Sequence, residues 1–296
     1  MYLSARAMIV ESKSLADKFD SERVSVVGDS SLRGLFKSAI QNRGLLRHLI
    51  VRDVAGRYRG SVLGIVWSLI NPLVMLIVYT VVFGYVFPSR WQASTNNLQS
   101  FALILFAGLI VFNLFSECLS RAPSLILNNV NYVKKVVFPL EILPLVSLGT
   151  GLFHFSVGLF VVIAANLLVN HTLEWTLVLL PLLLAPFCLC IVGFSWLLAA
   201  LGVFLRDIGQ VIGLVMSVFM FLSPLFYPLT AIPEPYRIWL YANPVTYVIE
   251  QGRALILWGE IPNCSSFVLY TVCSAAIAYL GFYFFQRARG GFADVL

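Results

Sequence analysis

Apolar positions in this chain come in long unbroken runs, with little of the alternation that marks half-buried strands. A helix of roughly 20 apolar residues is needed to cross the hydrocarbon core of a bilayer. Six runs meet that length, at 62–87, 101–120, 142–169, 176–205, 208–229 and 266–286. The third and fourth are longer than a crossing requires, and tilt or kinks at Pro144, Pro181 and Pro186 absorb the excess. Only Arg206 and Asp207 separate the fourth from the fifth, a tight polar turn at one membrane face. The pattern predicts an all-α integral membrane protein with six transmembrane helices, its transmembrane domain covering 62–286.

Outside those runs the pattern changes three times. Residues 1–31 mix both charge signs without periodicity, and read as an N-terminal cytoplasmic arm or as a disordered tail. They lack an apolar core followed by small residues, so no cleaved signal peptide is expected. In 32–61, Leu35, Phe36, Ala39, Ile40, Leu45, Leu46, Leu49 and Ile50 recur at helical spacing, with Arg33, Lys37, Arg43, Arg47 and Arg52 on other faces. Such a segment lies in the headgroup layer as an amphipathic interface helix, bent at Gly44, and Arg57, Tyr58 and Arg59 lead from it into the first span. Between the fifth and sixth spans, 232–258 holds two apolar and aromatic runs too short to cross, punctuated by Pro233, Pro235 and Pro244. They read as re-entrant outer half-helices. A plain surface loop is the alternative, at the cost of placing many aromatics in water.

Composition agrees with the pattern. Hydrophobic residues make up 59% and charged residues 11% of 296, with a mean hydropathy of +0.88. A soluble domain carries roughly a quarter charged residues, so a soluble enzyme is excluded. The net charge of +6 does not point to nucleic acid, because its placement follows topology. Seventeen basic residues fall on the side of the N-terminal arm, while Arg90, Arg237 and Arg253 fall on the other. By the positive-inside rule both termini, including the tail 287–296, face the cytoplasm. The five cysteines form no CxxC pair.

Candidate chemistry is sparse. The chain has no GxxxxGK[ST] phosphate loop and no HExxH, GxSxG or DxD motif. His48, His154 and His171 show no metal-ligand spacing, so neither a catalytic residue nor a metal site is expected. His154 is the only histidine inside a span, where an interhelical hydrogen bond suits it better than proton relay. Glu117 and Glu141 sit at span ends, as snorkelling or salt-bridged acids would, which disfavours coupling to an ion gradient. The segment of about 124–137 is a short amphipathic stretch with Asn128, Asn129, Asn131, Lys134 and Lys135, either a surface helix for a soluble partner to push or a solvated loop. Aromatics are abundant, including Trp67, Tyr79 and Phe83 on the first span and Phe219, Phe226 and Tyr227 on the fifth. Stacked on sugar rings they would guide a glycan. Taken singly, each equally suits lipid-facing packing or an interfacial belt.

The stretch from Arg57 carries Arg57, Tyr58, Arg59, Gly60, Ser61, Leu63, Gly64, Trp67, Asn71 and Pro72 in the order RYRGS-LG--W---NP. Together with Phe226-Tyr227-Pro228, Asn243-Pro244 and Gly291-Phe292-Ala293-Asp294, it resembles the membrane subunit of polysaccharide-exporting ABC transporters. The likeness runs from about Leu32 to Leu296 and gives residues 1–31 no role. It implies a homodimeric permease of the bacterial inner membrane, performing no covalent chemistry. Two copies of a separate ATPase would bind ATP and Mg, so this chain itself needs no cofactor. It further implies a coupling helix at about 124–137, with Asn128, Asn131, Lys134 and Lys135 facing the ATPase, and outer gate helices at 232–258. The canal would be lined by Trp67, Tyr79, Phe83, Phe219, Phe226 and Tyr227. The substrate would be a lipid-linked polysaccharide such as O-antigen, its diphosphate received by Arg52, Arg57, Tyr58 and Arg59 within a cluster that includes Arg43 and Arg47. Each of those arginines also suits simple anchoring to anionic lipid. An ABC permease for small lipids or drugs, and a membrane-embedded transferase acting on lipid-linked sugars, are the competing readings.

Overall fold

The computed structural model describes residues 42–82, 98–134 and 138–296, with backbone alone at 98–100 and 134. The N-terminal arm, the first part of the expected interface helix, Phe83 and Lys135 therefore lie outside the described residues. Arg43–Leu296 forms one compact unit. It is helical, and the described residues contain no strand.

In chain order the helices are α1 (Arg43–Tyr58), α2 (Trp67–Val81, preceded by a 3-10 turn at Gly64–Val66), α3 (Leu98–Arg121), α4 (Val130–Lys134) and α5 (Ile142–Asn170). They continue with α6 (Leu180–Phe204), α7 (Ile208–Leu222), α8 (Glu234–Ala242), α9 (Pro244–Arg253), α10 (Cys264–Arg289) and α11 (Phe292–Val295). Among the described residues five stretches are long and apolar enough to cross a membrane: Gly64–Val81, Phe101–Ser124, Ile142–Asn170, Trp175–Phe204 and Cys264–Arg289. The fifth expected span, 208–229, differs. The apolar run continues to 229, but α7 is a 15-residue helix that stops at Leu222. Pro224 cannot donate to the helical ladder. At the break the Ser223 hydroxyl donates to the Phe219 carbonyl at 2.7 Å and accepts from the Asn243 amide at 2.9 Å.

The excess length of the third and fourth runs is handled without a shared device. Pro144 sits in the first turn of α5 and Pro181 in that of α6, where a missing N–H costs nothing; only Pro186 lies inside a helix. Residues 232–258 fold as two short helices, α8 and α9, and a π-helical turn at Ala254–Trp258. Asn243 caps α9 by accepting from the Val245 N–H at 3.0 Å.

The centre of the bundle is α3, buried at every position from Phe101 to Phe112. Its Phe115 ring lies parallel to Phe187 and Phe219, with centroids 6.1 and 6.4 Å away, and edge-on to Phe194. Lipid is as apolar as these side chains, so close packing rather than water exclusion holds such helices together. Helix α6 crosses α10 closely: a Cβ at Gly193 would lie 2.7 Å from the backbone of Ala278. By contrast, no residue of α2 is buried.

Two sets of contacts mark the ends of the bundle. Arg121 pairs with Asp53 of α1 at 2.8 Å, and Glu141 with Arg289 of α10 at 3.0 Å. Arg121 and Glu141 flank one connection, so α1 and the C-terminal end of α10 share an end. There Phe292 is fully buried against Phe204 and Phe285. At the opposite end Arg253 is fully buried. Its Nε donates to the Ile104 carbonyl at 2.8 Å, and its Nη atoms donate to Pro224 and Leu225 at 2.6 and 3.1 Å. Glu250 accepts from it at 3.2 Å. Lysine has one nitrogen and cannot span these acceptors. Arg253→Lys is therefore expected to cost about 3–5 kcal/mol, read as a lower Tm of the solubilised protein; an unchanged Tm would show that the network adds nothing.

Candidate functional site

The polar side chains at the α1 end form a ladder across three helices. Asp53 and Arg57 are one turn apart on α1, Glu117 and Arg121 on α3, and Thr150 and His154 on α5. Four-residue spacing puts each pair on one face of its helix. Asp53 pairs with Arg121 at 2.8 Å and accepts from the Thr150 hydroxyl at 2.8 Å. One turn on, Arg57 is ion-paired with Glu117. His154 completes that rung, its Nδ1 lying 3.1 Å from the Glu117 carboxylate and its Nε2 3.1 Å from the Tyr58 hydroxyl. With the proton on Nδ1, the ring donates to Glu117 and accepts from Tyr58, so both nitrogens are used.

The ladder also sets the charge state of Asp53. Burial acts to raise its carboxyl, but the hydrogen bonds from Arg121 and Thr150 and the nearby guanidinium charges outweigh that and hold it below its ordinary value. Helix α1 is seated by shape as well: Ile50 fills the space over Gly149 on α5, where no Cβ stands in its way.

Beside the ladder a cleft of about 610 Å³ opens between α2, α3 and α5. Arg57, Tyr58, Glu117 and His154 form one end. Along it α2 contributes Trp67, Ser68, Asn71 and Tyr79, and α3 contributes Asn113 and Ser116. Aromatic faces thus stand among amide and hydroxyl groups at the depth of apolar spans. Trp67 is 45% exposed, so its ring face is open to a ligand.

Residues 44–257 match the family described as ABC-2 type transporter. That is 214 of the 296 residues. The chain belongs to the ABC-2 type transporter family. It is 26% identical over 262 residues to the O-antigen export system permease protein RfbA of Myxococcus xanthus, covering 88% of this chain and 98% of that protein. A Klebsiella pneumoniae protein of the same name is 26% identical over 261 residues, covering 86% and 97% of the two chains. The polysialic acid transport protein KpsM of Escherichia coli is 22% identical over 236 residues, covering 79% and 89%.

Within this ABC-2 transporter the expected site residues are distributed unevenly. Arg57 and Tyr58 join the ladder and the cleft, while Arg52 is exposed and donates to the Tyr132 hydroxyl at 3.0 Å. Arg59 is exposed in the turn after α1, beside Gly60 at φ +86°. Trp67 and Tyr79 line the cleft. Phe219, Phe226 and Tyr227 do not: Phe219 stacks on Phe115, Phe226 lies 6.2 Å from the Phe221 ring, and the Tyr227 hydroxyl donates to the Phe221 carbonyl at 2.8 Å. Among the described residues of the expected coupling segment, 3-10 turns at Ala122–Ser124 and Leu127–Asn129 precede the five α-helical residues of α4. Asn129 donates to the Leu125 carbonyl at 2.8 Å, whereas Asn128 and Asn131 are exposed.

Asp53, Arg121, Thr150 and Asn113 were not picked out from the sequence. The repeated four-residue spacing of charges on 53/57 and 117/121 was the available signal. A double-mutant cycle on Asp53→Ala and Arg121→Ala is expected to give a coupling of about 0.5–3 kcal/mol in thermal unfolding; additive losses would remove the pair. Because Asp53 is held low, its contribution is complete above the ordinary carboxylate range and fades only as pH falls through the lowered value. Asp53→Asn should abolish that acid-dependent fall.

Proposed function

We propose that this chain is the permease subunit of an ATP-driven exporter that moves a lipid-linked polysaccharide across the bacterial inner membrane. The reading is carried by the near end-to-end likeness to the O-antigen permease of M. xanthus, over 98% of that protein's length. The cleft supports it, since Trp67 and Tyr79 offer ring faces and Asn71, Asn113 and Ser116 offer hydrogen bonds, as a sugar chain requires.

In this reading two copies of the chain enclose a canal, and α2, unburied in the single chain, faces it. Two copies of a separate ATPase, which hold ATP and Mg, dock on the cytoplasmic end beside the segment around Asn128, Asn131, Lys134 and Lys135. Their motion passes through Arg121 to Asp53 and so to α1. Both termini are cytoplasmic: the seventeen basic residues expected inside include Arg121 and Arg289, whose contacts place α1 and the end of α10 together. The diphosphate of the carrier lipid is received at Arg52, Arg57, Tyr58 and Arg59. Arg59 meets it first, because the other three already hold partners within the chain. The half-helices α8 and α9 form the outer gate.

The test is reconstitution with the ATPase in liposomes. At about 0.5–1.5 kcal/mol for each aromatic contact, Trp67→Ala with Tyr79→Ala is expected to slow glycan export about tenfold while ATPase docking persists. Arg59→Gln should lower the ATP hydrolysis stimulated by the lipid-linked glycan. Unimpaired glycan export by the aromatic variant would remove Trp67 and Tyr79 from the glycan's path, and stimulation by small lipids in place of the glycan would overturn the glycan reading in favour of a small-lipid or drug permease.

A further inference from the structure

A second cavity, of about 420 Å³, lies on the other side of the ladder, between α1, the start of α5 and the segment that follows α3. Its lining is divided in character. Leu49, Leu125, Leu143 and Val146 make an apolar wall, while Arg52, Arg121 and Asn128 supply cationic and amide donors. Three arginines and one carboxylate line it, and that carboxylate, Asp53, is already held by Arg121 and Thr150. Arg57, at its edge, is likewise engaged by Glu117. One positive charge is thus left over, at Arg52.

Two buried polar atoms of this lining have no hydrogen-bond partner among the described residues: Nη1 of Arg121 and the hydroxyl of Ser147. Leaving a buried donor unmet costs about 1–3 kcal/mol, and more for a charged group. The Arg121 nitrogen can only donate, and the Ser147 hydroxyl can donate as well as accept, so one acceptor satisfies both, and the surplus charge makes it an anion. Its apolar neighbours make that anion one end of an amphiphile. Basic pockets between helices at the cytoplasmic side of membrane proteins are where anionic headgroups bind.

The geometry points to this cavity as a site for the phosphodiester headgroup of an anionic glycerophospholipid. Arg121 Nη1, the Ser147 hydroxyl and Arg52 contact the phosphate, and the acyl chain leaves along Leu49, Leu143 and Val146. The site shares Arg57 with the glycan cleft and Arg52 with the residues proposed for the carrier diphosphate, but its occupant is an ordinary bilayer lipid. Because Arg121 grips Asp53 with its other nitrogen, a bound headgroup would stiffen the joint between α1 and α3. This inference does not rest on the export reading, and its test contains no glycan.

The experiment is native mass spectrometry of the full chain released from nanodiscs of mixed phosphatidylcholine and phosphatidylglycerol, with Tm measured in discs of each composition. The wild-type chain is expected to retain phosphatidylglycerol in preference to phosphatidylcholine and to melt higher in its presence. Arg121→Lys keeps a cation beside Asp53 but removes the second nitrogen. It should weaken phosphatidylglycerol retention about tenfold, the effect of one charge-assisted hydrogen bond. Arg52→Gln, at an exposed position that tolerates change, should weaken it similarly and carries the test if the lysine variant does not fold. Retention unchanged in the folded variants would overturn the site. Inorganic phosphate that raises Tm in phosphatidylcholine discs as much as phosphatidylglycerol does would overturn the lipid assignment, showing that the apolar wall contributes nothing.

Discussion

A guanidinium with no exposed surface must find all its acceptors inside the protein, and Arg253 finds them on separate elements. Ile104 belongs to α3, Pro224 and Leu225 to the broken link after α7, and Glu250 to its own helix α9. Pro224 and Leu225 lie where helical bonding has ended, so their buried carbonyls need donors from elsewhere in the chain. One side chain thus supplies the donors that allow α7 to stop at Leu222. Gly108 is part of the same arrangement, since a Cβ there would stand 2.6 Å from Arg253 Nη2. The ladder at the opposite end answers the same requirement with three helices instead of one residue.

Much of this was legible in the sequence, and the remainder failed for identifiable reasons. Spans follow from run length because a bilayer demands a minimum of apolar residues, and five of the expected runs coincide with long helices. The fifth run did not show where its helix ends. Apolar character continues past Ser223, and the break depends on Asn243, twenty residues away. Arg253 counted only as one of three basic residues outside the cytoplasmic set. Charge counting registers a sign, whereas burial depends on which carbonyls are left over elsewhere.

The site was legible to a similar degree. Arg57 and Tyr58, expected to meet a ligand, pair with Glu117 and His154 and also line the end of a cleft. His154 as an interhelical hydrogen-bonding residue agrees with its contacts. Aromatic residues of the first span line the cleft, but Phe219 of the fifth serves the interior through Phe115. Composition cannot separate those two fates, because an aromatic ring suits a glycan and a neighbouring ring equally well. The Asp53–Arg121 pair required knowing that α1 packs on α5 and so brings Asp53 within reach of the end of α3.

The link between α1 and α2 holds two glycines in left-handed conformations, Gly60 at φ +86° and Gly64 at φ +52°. Val62 between them touches nothing that shields it from solvent. The path from the clamped helix to the first span is therefore written in backbone torsions, with side-chain packing contributing little. The wall of the cleft carrying Glu117 is held by its ion pair with Arg57, which responds to salt. The wall carrying Trp67 follows a covalent joint that does not. The two sides of one cavity consequently answer to different physical controls, and a change in the electrolyte can alter the grip of one without shifting the register of the other.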